Sequence, residues 1–193
     1  TFFDIDKKIT GKSSDVFFDI SNKIIKSDNS SNFKDNFNNI IESSSFKYFN
    51  NSELLKANNI ELTDEKKNKY FIKKGFLKLK NNFLIGKDIK ISLRNDSFGI
   101  PENEPRLKGN TVSYKSNKTL IKKGIFTSCK NNNDNCPPWS ITSKEIIHDK
   151  LKREIQYKNA WLKVYNTPVL YFPKFIHPDP TVDRKSGFLI PTF

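Results

Sequence analysis

Period-two alternation of apolar and polar side chains runs through this chain. From Phe83 to Leu93 the odd positions read Phe83, Ile85, Lys87, Ile89, Ile91 and Leu93, whereas after Leu84 the even positions read Gly86, Asp88, Lys90 and Ser92. A spacing of two sends alternate side chains to opposite sides of an extended backbone, so this segment is predicted to be a strand with one buried face. Related stretches predict strands over residues 16–20, 46–49, 54–62, 70–79, 107–114, 120–127, 140–148, 154–164 and 169–172. Trp139 and Ile141 share one strand face, as do Ala160, Leu162 and Val164. Turn formers separate the stretches, among them Asn50-Asn51-Ser52, Thr63-Asp64-Glu65, Asn81-Asn82 and Ser116-Asn117. Short strands at this spacing indicate an all-β sandwich, barrel or jelly roll. A helix is compatible only with residues 36–43.

Two further features refine the organisation. Lys73-Lys74-Gly75-Phe76 is echoed by Lys122-Lys123-Gly124-Ile125, as similar hairpin units stacked into an elongated sheet would give. The texture then changes past Phe172, where Pro173, Pro178 and Pro180 crowd together. Proline cannot donate to a ladder, so this stretch reads as a linker or a sheet edge. The domain division expected is 1–172 for the β domain and 173–193 for a linker and the opening of a new element.

Composition fits strands better than helices. Hydrophobic residues make up only 35%, but with 17 Phe and no Met they are stiff and bulky. The net charge of +13, from 34 Lys plus Arg against 21 Asp plus Glu, is spread along the chain. It reads as a solvated surface that also attracts anions, whether nucleic acid or lipid headgroups. Residues 1–6 have neither a basic region nor an apolar run of the signal-peptide kind, and the chain begins as if inside a strand. No apolar run approaches the ~20 residues of a spanning helix.

Candidate chemistry is sparse. His148 and His177 are the only histidines; neither adjoins a nucleophile motif, and both are expected at the surface or in turns. Cys129 and Cys136 lack metal-ligand spacing. No glycine-rich phosphate loop is present. The reading is a non-enzyme without metal or cofactor. The two cysteines either close a small ring, for which the chain-entropy model gives about 2 to 3 kcal/mol, or stay unpaired; a bridge would indicate an oxidising compartment.

Between Arg106 and Phe193 an ordered series of short motifs resembles the LptD (organic-solvent-tolerance, OstA) family of lipopolysaccharide-assembly proteins. Its members are Trp139-Ser140-Ile141, Asn159-Ala160-Trp161-Leu162-Lys163-Val164, Pro168-Val169-Leu170-Tyr171-Phe172-Pro173 and Arg184-Lys185-Ser186-Gly187-Phe188-Leu189-Ile190-Pro191. The resemblance implies an open periplasmic β-jelly roll joined to an outer-membrane β-barrel that this chain is too short to hold. It implies transport of lipopolysaccharide, accepted from an LptA-type bridge protein through the N-terminal edge, with an LptE-type lipoprotein as partner of the barrel. Under it Phe83, Ile85, Ile89, Ile91, Leu93, Val112, Ile141, Ala160, Leu162 and Val164 become candidates for an apolar groove. Pro173, Pro178, Arg184, Gly187 and Pro191 become the hinge and barrel entry. Thr127-Ser128-Cys129 is similar to the site of a bridge to a distant C-terminal cysteine, although Cys129 and Cys136 lie closer together than the family pattern has them.

Two other classes compete with this reading. A basic nucleic-acid binder of the OB type would need aromatics alternating with basic residues on an exposed face, but here aromatics alternate with other apolar residues, so no nucleic-acid partner is expected. A structural surface domain would share the fold without the lipid.

Overall fold

The computed structural model describes residues 2–4, 9–34, 38–78, 83–94, 104–130, 138–178 and 182. Within them the chain is all-β, an open jelly-roll-like arrangement of fifteen strands in one antiparallel sheet. Seven short strands come first: β1 Phe2–Asp4, β2 Ile9–Ser13, β3 Phe17–Asp19, β4 Ile24–Ser27, β5 Ser31–Lys34, β6 Ile40–Ser43 and β7 Ser45–Phe49. Eight long ones complete the sheet as a meander: β8 Leu54–Thr63, β9 Lys69–Lys78, β10 Phe83–Ser92, β11 Arg106–Lys115, β12 Lys118–Thr127, β13 Trp139–Asp149, β14 Glu154–Val164 and β15 Thr167–Pro178. Two-residue turns at Ser116-Asn117 and Tyr165-Asn166 have positive φ at both positions, the backbone hand that matches strand twist.

Two expectations change here. Residues 40–43 form β6 instead of a helix, with Ile41 opposite Leu62; a branched side chain gains more from packing on a pleated surface than from one helical turn. The strand expected over 169–172 runs from Thr167 to Pro178 and is the sheet edge.

Every long strand bends at its middle. In β10, Lys87 pairs with Lys74 and Ile89 with Ile72, while Asp88 and Lys73 between them are unpaired. The same interruption recurs at Asn59, at Lys123 beside Lys144, and at Asn159 beside Pro173. On alternate strands the unpaired residue is left-handed, at Asn59 (φ 47), Asp88 (φ 55), Lys123 (φ 51) and Asn159 (φ 51). Asn and Asp tolerate that conformation best. Because both strands of each pair omit the same number of residues at the same level, one in most pairs and two between β11 and β12, register continues across the bend while the inward parity switches. In β10 the buried positions are Gly86 and then Ile89, with both Lys87 and Asp88 facing outward. Ser143 bridges two corner carbonyls, its single hydroxyl proton shared between Glu145 O at 2.8 Å and Lys158 O at 2.7 Å.

The bends divide the sheet into a Trp139 arm, holding residues 106–109, 124–127, 139–143 and 160–164, and a Tyr157 arm, holding 74–78, 83–87, 118–122, 145–149 and 154–158. Ile72, Ile89, Val112, Ile121, Phe126, Ile146, Tyr157 and Ala160 form the buried core along the corner. Glycines make room for it: a methyl group on Gly86 would lie 2.6 Å from Ile72 Cγ2 and 2.8 Å from Val112 Cγ1. Gly124 gives the same space to Ile146 and Gly75 to Ile60, which explains the repeated Lys-Lys-Gly. Each marks a corner with a socket directly after it.

Past β8 the sheet forks. Its two ends pair with different neighbours, β6 on the Trp139 side and β7 on the Tyr157 side. One branch continues through β5 and β2 to β1, the other through β4 to β3. Phe33 of the first branch meets Phe46 of the second edge-on, with centroids 5.3 Å apart, so the arms touch across the interior.

The socket at Gly124 predicts a specific coupling. Gly124→Ala should cost about 1 to 3 kcal/mol from overpacking, and Ile146→Val alone about 0.5 to 1.5. In urea denaturation the double variant should lose clearly less than the sum; strict additivity would show that Ile146 does not fill the socket.

Candidate functional site

Inside the bend, the row of residues one step beyond the buried core forms a ladder of apolar side chains. On the Trp139 arm it begins Phe33, Ile41, Leu62, Tyr70 and Ile91, each the direct cross-strand partner of the next. It continues through Leu107, Phe126, Ile141, Leu162 and Leu170 without a polar member. Ten strands contribute, so at ~4.8 Å per strand the ladder is about 43 Å long. Phe126 is buried, Leu170 is exposed, and the rest are half-buried. Apart from Phe126, which it shares with the core, this lane has surface left to offer.

The facing row on the Tyr157 arm differs along its length. It opens apolar with Tyr48, Leu55, Leu77 and Leu84, and then reads Tyr114, Thr119, His148, Ile155 and His177. One wall of the lane is therefore apolar apart from the Tyr70 hydroxyl, which donates to Asp64 Oδ2 at 3.1 Å, and the other gains hydrogen-bonding groups towards the C-terminal edge.

His177 departs from the expectation of a surface residue. It is buried, stacked on Tyr157 at 5.5 Å. Its Nδ1–H donates to Pro178 O at 2.7 Å, so in the neutral ring Nε2 accepts from the Tyr157 hydroxyl at 3.1 Å. Burial pushes the Tyr157 phenol far above its ordinary pKa, which keeps it a donor. His148 is half-buried on the same wall. Both place polar ring nitrogens on this wall near the C-terminal edge of the sheet.

The groove candidates separate into four groups. Ile89, Val112 and Ala160 lie in the dry core, and Ile91, Ile141 and Leu162 on the lane. Val164 pairs with Trp139 beyond the lane, and Leu93 sits just past β10, its N–H bonded to Pro105 O. Phe83 and Ile85 do not share the face of Ile89. The parity switch at Lys87-Asp88 turns them outward and brings Leu84 and Gly86 in. Sequence alternation missed Leu62, Leu84, Leu107, Phe126 and Leu170. The available signal was the pair of consecutive polar residues in mid-strand, such as Asn58-Asn59, Lys73-Lys74, Lys122-Lys123 and Lys158-Asn159.

Pro173 occupies the unpaired corner position of β15, where a missing N–H breaks no ladder bond, and Pro178 ends that strand. Arg184, Gly187, Pro191 and Cys136 lie outside the described residues. Cys129 is half-buried; its N–H donates to Thr127 Oγ1 at 3.2 Å, and that hydroxyl donates to Trp139 O at 2.7 Å. Among the described residues no group of three or more His, Cys, Asp or Glu could hold a metal ion.

No protein-family model matches the chain. It is similar over 76 residues to the LPS-assembly protein LptD of Yersinia pestis bv. Antiqua, at 38% identity, covering 39% of this chain and 9% of that protein. The corresponding proteins of Sodalis glossinidius and Salmonella typhi are 37% identical over 73 residues, again 9% of their own length. These relatives are named for assembly and not for catalysis. An LptD-related segment is what the similarity supports, and the chain matches only a small part of each relative.

Proposed function

We propose that this chain carries lipopolysaccharide along its apolar lane, as the periplasmic jelly roll of an outer-membrane LPS-assembly protein of the LptD type. The observation that carries the proposal is the unbroken ten-strand ladder from Phe33 to Leu170. An acyl chain of about a dozen carbons would cost on the order of 10 kcal/mol to move bare through water, at about 0.8 per methylene. A lane that stays apolar at every strand removes that barrier without fixing the chain at any one point. The work is a slide between equivalent side chains, and no covalent step is needed.

The ends of the sheet suit a relay. At the N-terminal end β1 and β3 are edges, and Val16, Phe17, Phe18 and Ile20 are exposed there. Unpaired strands with apolar side chains invite β-augmentation, and an LptA-type bridge protein is the partner proposed. At the other end β15 leads towards Arg184, Gly187 and Pro191, which we assign to the connection with an outer-membrane barrel and its LptE-type lipoprotein. Pro173 belongs to the sheet in this reading, and the hinge begins at Pro178.

Photocrosslinking residues at Ile91, Leu107 and Ile141 should form adducts with lipopolysaccharide, and the same residue at Ile85 should not. Adducts at Ile85 equal to those at Ile141, or none at any inward position, would contradict the lane. Proline at Phe18 should abolish capture of an LptA-type protein while leaving the far-ultraviolet circular dichroism of the chain unchanged; unchanged capture would remove this edge from the relay.

A further inference from the structure

The outward side of the Tyr157 arm carries a second ordered surface. Phe76, Ile85, Leu120, Ile147 and Ile176 lie on one register row, interrupted by Ser113 and Gln156. Phe76, Ile85 and Ile176 are 42%, 43% and 42% exposed, and only Phe76 has a lysine, Lys56, over its ring at 5.5 Å. A parallel row lies two residues closer to the corner, about 7 Å away. It presents Lys74, Lys87, Lys122, Lys158 and Lys174, all exposed, together with Thr111 and Glu145.

Both rows carry a cost in the isolated fold. Lys74 directly opposes Lys87, and Lys158 directly opposes Lys174; like charges so placed are destabilising. Glu145, 3.0 Å from Lys158, is the one carboxylate ion-paired to this row among the described residues. The apolar row forfeits the gain of burial. Both costs are relieved at a surface that offers phosphates beside hydrocarbon, because lysine stems extend to headgroups while neighbouring branched side chains enter the acyl boundary. The other arm has no lysine row set beside an apolar one: its outward row mixes Glu61, Phe71, Lys90, Lys108, Ile125 and Thr142 and ends on the exposed, mutually packed rings of Trp161 and Tyr171.

We propose that the outward face of the Tyr157 arm docks on a bilayer surface bearing anionic phospholipid headgroups. This stands apart from what the lane carries, since the two surfaces lie on opposite sides of the sheet. A simple polyanion would use the lysine row alone, so the apolar row is what distinguishes a membrane from a nucleic acid.

The full 193-residue chain should co-sediment with phosphatidylcholine vesicles containing phosphatidylglycerol and not with phosphatidylcholine alone. Lys74→Glu/Lys87→Glu/Lys122→Glu should weaken that binding by about tenfold or more, and the corresponding Gln replacements should weaken it in the same direction. Phe76→Ser/Ile85→Ser/Ile176→Ser should also lose about tenfold. The charge-matched control Lys69→Glu/Lys90→Glu/Lys108→Glu, on the other arm, should bind much as the parent does. Thermal melts identify any variant whose loss comes from unfolding, and the Gln and Ser sets read the two rows independently. The proposal is overturned if the parent fails to bind anionic vesicles, if the control loses as much as the lysine set, or if the Ser set binds like the parent.

Discussion

The corner is the constraint on which the rest depends. A β-strand of ten residues with strict alternation has one inner face and no way to enclose anything by itself. Here paired long strands skip matching positions at a common level, so hydrogen-bonding register survives while inward parity switches. That single device folds an otherwise open sheet onto itself, brings Phe33 against Phe46, and creates an inside. Left-handed Asn59, Asp88 and Asn159 supply the bend cheaply, and Lys123 at greater cost.

From the corner outward the interior is graded. Next to it, Ile side chains fill sockets at Gly75, Gly86, Gly109 and Gly124, giving a dry seam that holds the arms together. One step further, packing thins, and apart from buried Phe126 the ladder from Phe33 to Leu170 keeps part of its surface free. Stability and carriage are therefore assigned to adjacent rows of the same strands. Filling the lane would close it, and emptying the seam would open the sheet.

Much of this was legible in the sequence and some was not, for definite reasons. Strand positions were readable because Phe83–Ser92 and its neighbours alternate within each arm and end at Asn-rich or Ser-rich turns. The interior was misassigned at Phe83 and Ile85 because alternation was extended through Lys87-Asp88, where two successive polar residues mark a switch. Residues 40–43 were ambiguous because four residues cannot distinguish helix from strand without knowing that Leu62 lies alongside. His177 looked like a turn residue because it sits among prolines; only its partner Tyr157, twenty positions earlier, makes it an interior group. Pro173 left a linker and an edge both open and was assigned to the linker; that it is the corner of the last strand needed the column of unpaired residues across the sheet.

The parity switch also organises the outside. It turns paired polar residues outward at every corner, which concentrates lysines along the bend, and it leaves Phe76, Ile85 and Ile176 outward on one arm. Lane, sockets, corner proline and basic face thus arise from one feature, and a scan of β10 tests it most directly. Spin labels placed singly along residues 83–93 report accessibility to an aqueous relaxation agent. The account predicts protection at Leu84, Ile89 and Ile91, and access at Ile85, Lys87 and Lys90. Uninterrupted alternation, with Ile85 as protected as Ile89 and Ile91, would contradict it.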